Sequence, residues 1–171
     1  MNRHRAVQAR RKRESEHRPM RLVGADHPAL HTPAQPVETF DVRLRRLAMS
    51  LCATAVVNHG QAVAAPQVGR SVRVVALPTL VVVNPRIIEI GGKLESGIER
   101  CLSLPGRRFE VDRWTRIVVA GFNLDQEEHA VEMLDAEARL WQHEIDHLDG
   151  RLVTSRGVEV ATLPAAQTTR T

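Results

Sequence analysis

The chain has 171 residues, of which 43% are hydrophobic and 26% charged, with a formal net charge of +4. This length suits one domain that buries its own core, and it excludes a multidomain assembly. No apolar run approaches the roughly 18 residues that span a bilayer, and no apolar stretch follows the basic start as a secretory signal requires, so the chain reads as soluble and unexported.

The positive charge sits at one end. Residues 1–21 hold a surplus of six basic residues, with Arg10, Arg11, Lys12 and Arg13 outweighing Glu14 and Glu16, whereas the remainder is net −2. Residues 1–19 are therefore expected to be a disordered basic arm, either a solvated leader with Met20 as an alternative initiator or a segment that touches RNA. Its glutamates and scarce apolar residues argue against a mitochondrial transit peptide. Leu22 to Phe40 is rich in Pro and His and reads as an irregular wrap. Asp41 is placed to cap a helix running to about His59, in which Leu44, Leu47, Ala48, Leu51, Cys52 and Ala55 recur at helical spacing.

Gly60 to Gly69 reads as a loop. Short β-rich runs follow at 72–77, 80–83 and 87–90, and Gly91-Gly92 is expected to turn a hairpin into 93–96. Further strands are expected at 109–112, 116–122 and 128–132. From Asp135 the period returns to 3.6: Ala138, Trp141, Ile145 and Leu148 form one stripe of a helix that Gly150 should end. The fold class is thus α+β, with short antiparallel strands packed around a central C-terminal helix, an N-terminal helix, a folded domain over 20–160 and a disordered tail over 161–171. Cys52 and Cys101, in an unexported chain, are not expected to pair. Cys52 fits the helical stripe as a small buried hydrophobe, while Cys101 lies in a turn-rich segment with no periodic setting.

The C-terminal helix carries His143-Glu144-Ile145-Asp146-His147, a complete H-E-x-x-H. Residues i and i+4 project from one face, so both imidazoles can share an ion while Glu144 reaches a water beside it. A hydrolytic site needs a third protein ligand and one open position. No downstream residue supplies it, since the only acid after Asp149 is Glu159. The ligand must come from upstream, with Cys101 the soft donor and His59 or His129 the alternatives. A Cys/His/His set suits zinc or ferrous iron.

Three ordered segments, Gly60-Gln61-Ala62-Val63-Ala64-Ala65-Pro66-Gln67, Glu99-Arg100-Cys101-Leu102-Ser103 and Gln142-His143-Glu144-Ile145-Asp146-His147, resemble the motifs G-x-G-x-A-A-P-Q, E-G-C-L-S and Q-H-E-x-D-H of the peptide deformylases. That family removes the formyl group from the N-terminal formyl-methionine of new proteins. The resemblance runs from about Met20 to Arg156. It implies that Cys101, His143 and His147 hold the metal, ferrous iron in much of the family, with zinc, nickel or cobalt able to replace it. It implies Glu144 as general base and then acid, and the Gln67 amide and the Leu102 N–H as donors to the developing oxyanion. Gly60, Ala62, Val63 and Arg100 would flank the substrate backbone. The implied partners are formyl-methionyl nascent peptides, met in a bacterial-type cytoplasm rather than an organelle and away from membranes, with the arm reaching ribosome or rRNA.

Two positions depart from the motifs, because Ala62 and Arg100 stand where the family keeps glycine. Arg100 can narrow the cleft, contact the peptide or point to solvent, and its bulk is expected to weaken the binding of ordinary substrates. Two other readings stay open: a deformylase-like protein with a structural metal and an RNA-binding arm, and an amidase for another acyl group. Glu144 favours the enzyme, since a structural site has no use for a carboxylate in the general-base position.

Overall fold

The computed structural model of the protein describes residues 18–59 and 62–161. Gly60, the expected arm before Arg18 and the expected tail after Ala161 lie outside the described residues.

Asp41 caps the first helix as its sequence indicates, its carboxylate accepting from the Arg43 and Leu44 N–H groups at the start of α1, Val42–Val57. Before it, the wrap contains one 3-10 turn, Pro28–Leu30. Asn84 pins this wrap, because its side-chain amide accepts from the Val37 N–H at 2.8 Å and donates to the Val37 carbonyl at 2.9 Å. Asn84 has a φ of 52°, a region that asparagine tolerates better than most residues.

After α1 come β1 Val63–Ala64, a 3-10 turn at Ala65–Val68, β2 Val74–Ala76, β3 Val81–Glu99, β4 Arg108–Phe122, β5 Glu128–Leu134, helix α2 Asp135–Leu148 and β6 Val158–Val160. The strands form one antiparallel sheet in the order β1-β2-β3-β4-β5, with β6 on β4. Two expectations are corrected here. The residues on both sides of Gly91-Gly92 pair with β4, so the glycines make a bulge opposite Thr115 rather than a hairpin turn. Gly92 takes φ 73°, and the Lys93 N–H donates to Thr115 Oγ1 at 3.0 Å. The runs 109–112 and 116–122 likewise belong to one strand, because register shifts in β3 absorb the irregularity that split them in sequence. Strand β6 had no alternating pattern to reveal it, with Val158 and Glu159 both exposed.

Helix α2 is the centre of the molecule. Its stripe of Ala138, Trp141, Ile145 and Leu148 is buried against Val75, Ile117, Val119 and Met133 of the sheet, while α1 packs Leu51, Cys52 and Ala55 on Val63, Val74 and Val83. Gln142 behaves as an extra strand residue, accepting from the Trp114 N–H at 3.1 Å and donating to the Trp114 carbonyl at 2.8 Å. This joint fixes the rotation of α2 and therefore the side from which His143 and His147 emerge. No helix among the described residues is long and apolar enough to cross a membrane.

Gly150 ends α2 with φ 71°, and a Cβ there would stand 2.8 Å from the Thr32 carbonyl carbon and 2.9 Å from the Thr32 nitrogen. Gly150→Ala is expected to cost about 1–3 kcal/mol through left-handed strain alone. The check is the urea midpoint of the variant against wild type, and an unchanged midpoint refutes the constraint.

Candidate metal centre and active site

Cys101, His143 and His147 converge, with one ligand atom from each lying within 4.8 Å of the others, all three buried. The helix supplies two of them one turn apart, their rings edge to face at 4.8 Å between centroids. The loop between β3 and β4 supplies the third, with Cys101 Sγ 3.3 Å from His147 Nε2. His59 and His129, the other candidates for a third ligand, are both exposed and take no part.

The surroundings fit a cation. His143 Nδ1 is in a 2.8 Å hydrogen bond with Glu99, so the nitrogen left to it as a ligand is Nε2. Burial opposes charge on His143, yet Cys101, Glu99 and the Glu144 charge outweigh it and raise its pKa to about 10, so a metal ion binding at Nε2 would have to displace a proton, its charge taking the proton's place. His147 is pushed the other way by burial and by the charges of His143 and Arg113, which keeps it the neutral imidazole a ligand must be. Soft thiolate with two imidazoles is a donor set for zinc or ferrous iron.

Glu144 sits beside this cluster, 4% exposed, with its Oε2 lacking any hydrogen-bond partner among the described residues. Burial pushes its carboxyl up to about 7, against the opposing pull of His143 and the Ala64 N–H. Gln67 is buried with its Oε1 accepting from the Ala64 N–H at 2.9 Å, which turns Nε2 towards Cys101 Sγ at 3.7 Å. The Leu102 N–H, next to the thiol in sequence, has no partner among the described residues.

All of this opens on a cleft of about 1020 Å³ lined by Ala62, Gln67, Arg100, Leu102, Leu140 and Glu144 among others. Val63 points into the core behind it, so only its backbone can face the cleft. Neither Ala62 nor Arg100 has a positive φ, so the two residues in place of glycine carry no backbone strain. Ala62 is buried and Arg100 is exposed on the cleft wall.

Sequence reasoning missed the buried frame behind the ligands. The Arg113 guanidinium, 5% exposed, donates to both oxygens of Glu99 at 2.9 and 3.1 Å and to Asp146 of α2. Arg139 adds a second cation to Glu99, and Arg156 caps Asp146 at 2.6 Å. Burial would raise the Glu99 pKa, but hydrogen bonds from His143 and Arg113 and their charges hold it at about 2. The signal available was position: Glu99 lies two residues before Cys101, and Asp146 lies between the paired histidines.

The model of the polypeptide deformylase family matches residues 19–162. The chain is 40% identical over 146 residues to a peptide deformylase of Dictyoglomus thermophilum, covering 83% of this chain and 94% of that protein. It is 43% identical over 143 residues to one from Acidothermus cellulolyticus, covering 81% and 78%. The fold is similar to the crystal structure of the Thermotoga maritima peptide deformylase, with a TM-score of 0.80 at 35% identity over 83% of this chain and 99% of that one. It is also similar to the Synechococcus elongatus peptide deformylase in complex with actinonin, with a TM-score of 0.79 at 32% identity over 82% and 79%.

Arg113→Leu strands the carboxylates of Glu99 and Asp146 in a desolvated setting, and loss of one partner from such a network costs about 3–5 kcal/mol. Chemical denaturation of the variant is expected to show that loss. A loss within about 0.5 kcal/mol, the range of ordinary surface substitutions, contradicts it.

Proposed function

The chain belongs to the polypeptide deformylase family, and on that footing we propose that Cys101, His143 and His147 bind its metal, that Glu144 moves the proton, and that Gln67 and Leu102 steady the formyl oxygen. The reaction is hydrolysis of the formyl amide at the N-terminus of formyl-methionyl peptides, releasing formate and a free amine. The observation that carries the reading is a buried glutamate with an unpartnered oxygen beside a Cys/His/His cluster.

A bound ion supplies Lewis acidity to the formyl oxygen and to the attacking water. Glu144 takes a proton from the water as its oxygen bonds to the formyl carbon. It then gives a proton to the amine nitrogen as the C–N bond breaks. A carboxyl near pH 7 suits a group that must accept and return a proton in one cycle. Negative charge grows on the former formyl oxygen, and Gln67 Nε2, held by the Ala64 hydrogen bond, is a donor already turned to meet it. The Leu102 N–H is the second donor. Ala62 and Val63 are the proposed backbone contacts for an extended peptide, joined by Gly60 from the sequence motif, and Arg100 lines the same cleft.

Ferrous iron is the proposed native metal, with zinc, nickel or cobalt as replacements. Residues 20–160 are proposed as the catalytic domain in a bacterial-type cytoplasm, and residues 1–19 as a basic arm for ribosome or rRNA. Seven of the nine charged residues in the arm are basic, which supports that last reading, since phosphate contacts need little more than Lys and Arg.

Glu144→Ala is expected to keep its metal, measured by elemental analysis, and to lose several decades of activity on a formyl-methionyl peptide. Cys101→Ala is expected to lose the metal itself. Wild-type turnover in the first variant, or full metal retention in the second, overturns these assignments. Removing residues 1–17 is expected to leave the melting temperature and deformylation unchanged and to weaken only salt-sensitive binding to RNA or ribosomes. A fall in melting temperature would give the arm a structural role.

A further inference from the structure

Strands β3 and β4 pair without a break from Leu94 with Trp114 to Glu99 with Phe109. Arg100 directly follows and Arg108 directly precedes that last pair, so the two flank the neck of the loop that carries Cys101. Both arginines line the cleft, Arg100 exposed beside buried Glu99 and Arg108 half-buried beside buried Phe109. Like charges facing each other across an antiparallel pair are destabilising unless something negative lies between them. The other arginines of this cleft are neutralised, Arg107 by Glu159 and Arg139 by Glu99. The side chains of Arg100 and Arg108 make no hydrogen bond or ion pair among the described residues, and Arg108 Nε is buried without a partner among them. The acids nearby do not answer them. Glu110, two residues along on the same face, pairs with neither, and Glu99 is held by Arg113, Arg139 and His143.

Resting on the deformylase reading, we propose that Arg100 and Arg108 form an anion subsite for a carboxylate side chain that follows the formyl-methionine, so that the enzyme selects acidic N-terminal sequences. Arg100 is the chain neighbour of Cys101. A peptide whose formyl carbon reaches the metal cluster, advancing about 3.3 Å per residue, passes Arg100 within its next two or three residues. The planar forks of two guanidiniums are matched to carboxylate oxygens. On the sequence alone Arg100 is an obstruction, and Arg108 across the neck of the same loop makes it half of a binding pair.

The test uses the iron-loaded full chain and C-terminally amidated formyl-Met-Ala-Glu, formyl-Met-Ala-Ala and formyl-Met-Ala-Lys. The kcat/KM for the Glu peptide is expected to exceed that for the Lys peptide about tenfold or more at low salt, mainly through KM, and the ratio should shrink as salt is added. Arg100→Gln and Arg108→Gln should each bring that ratio towards one, and Arg100→Lys should restore part of it. Equal values in wild type, or an undiminished ratio in both Gln variants, overturn the subsite. A gain found only on exchanging the terminal amide for a free acid assigns the anion to the chain end and overturns the side-chain preference. Turnover of none of the peptides rejects the deformylase reading itself. The subsite is then judged by calorimetry with the amides of Met-Ala-Glu and Met-Ala-Lys, where equal affinities reject it.

Discussion

One buried cation organises the centre of this protein. Arg113 leaves β4 and grips Glu99 at the end of β3 and Asp146 in the last turn of α2, each carboxylate itself buried. Taking a guanidinium out of water costs several kcal/mol, and only two well-placed carboxylates offset it. Glu99 in turn orients the His143 ring and precedes Cys101 by two residues, while Asp146 lies directly before His147. The three candidate ligands come from a loop and a helix far apart in sequence, and a single ionic joint sets their spacing. Gln142 performs the neutral counterpart of this task, locking α2 to the backbone of Trp114.

How much of this was legible in the sequence differs by element. Helix α2 was plain, because the stripe from Ala138 to Leu148 and the H-E-x-x-H pattern report one helix from two independent directions. The cap at Asp41 was plain for the same reason. Gly91-Gly92 misled, since two glycines signal a reversal of the chain when read locally, whereas the long uninterrupted partner β4 makes them a bulge. That information is tertiary and no window of residues contains it. Chemistry alone ranked Cys101 as the soft donor ahead of His59 and His129, the family resemblance singled it out, and the fold leaves those two histidines on the surface. The Arg113 frame was invisible for a related reason: an arginine among alternating strand residues looks like a solvated charge until its partners arrive.

The two glycine replacements have opposite characters. Ala62 is buried in ordinary backbone geometry and adds one methyl to the floor of the cleft, which changes room rather than conformation. Arg100 adds a long cation in full view of solvent and substrate. A family frame kept at the metal and altered at the rim separates two selective demands. The candidate metal cluster is framed by buried residues that cannot change singly, whereas the rim carries exposed residues that can.

The long strand β3 has a further consequence. From Arg86 to Glu99 it pairs with β4 on one side, and among the described residues no strand occupies the other. Ile88, Ile90, Leu94 and Ile98 are exposed along it. A flat edge of that length would be a template on which a second copy adds strand to strand, the first step of a fibril. The shifts near Ile87 and at Gly91-Gly92 interrupt the ladder's spacing, and Arg86, Glu89, Lys93 and Glu95 place charge between the isoleucines. The irregularities that spoil β3 as a textile leave its straight last stretch, Leu94 to Glu99, beside the cleft, so the edge is blunted against other copies along most of its length and stays regular only next to the candidate site.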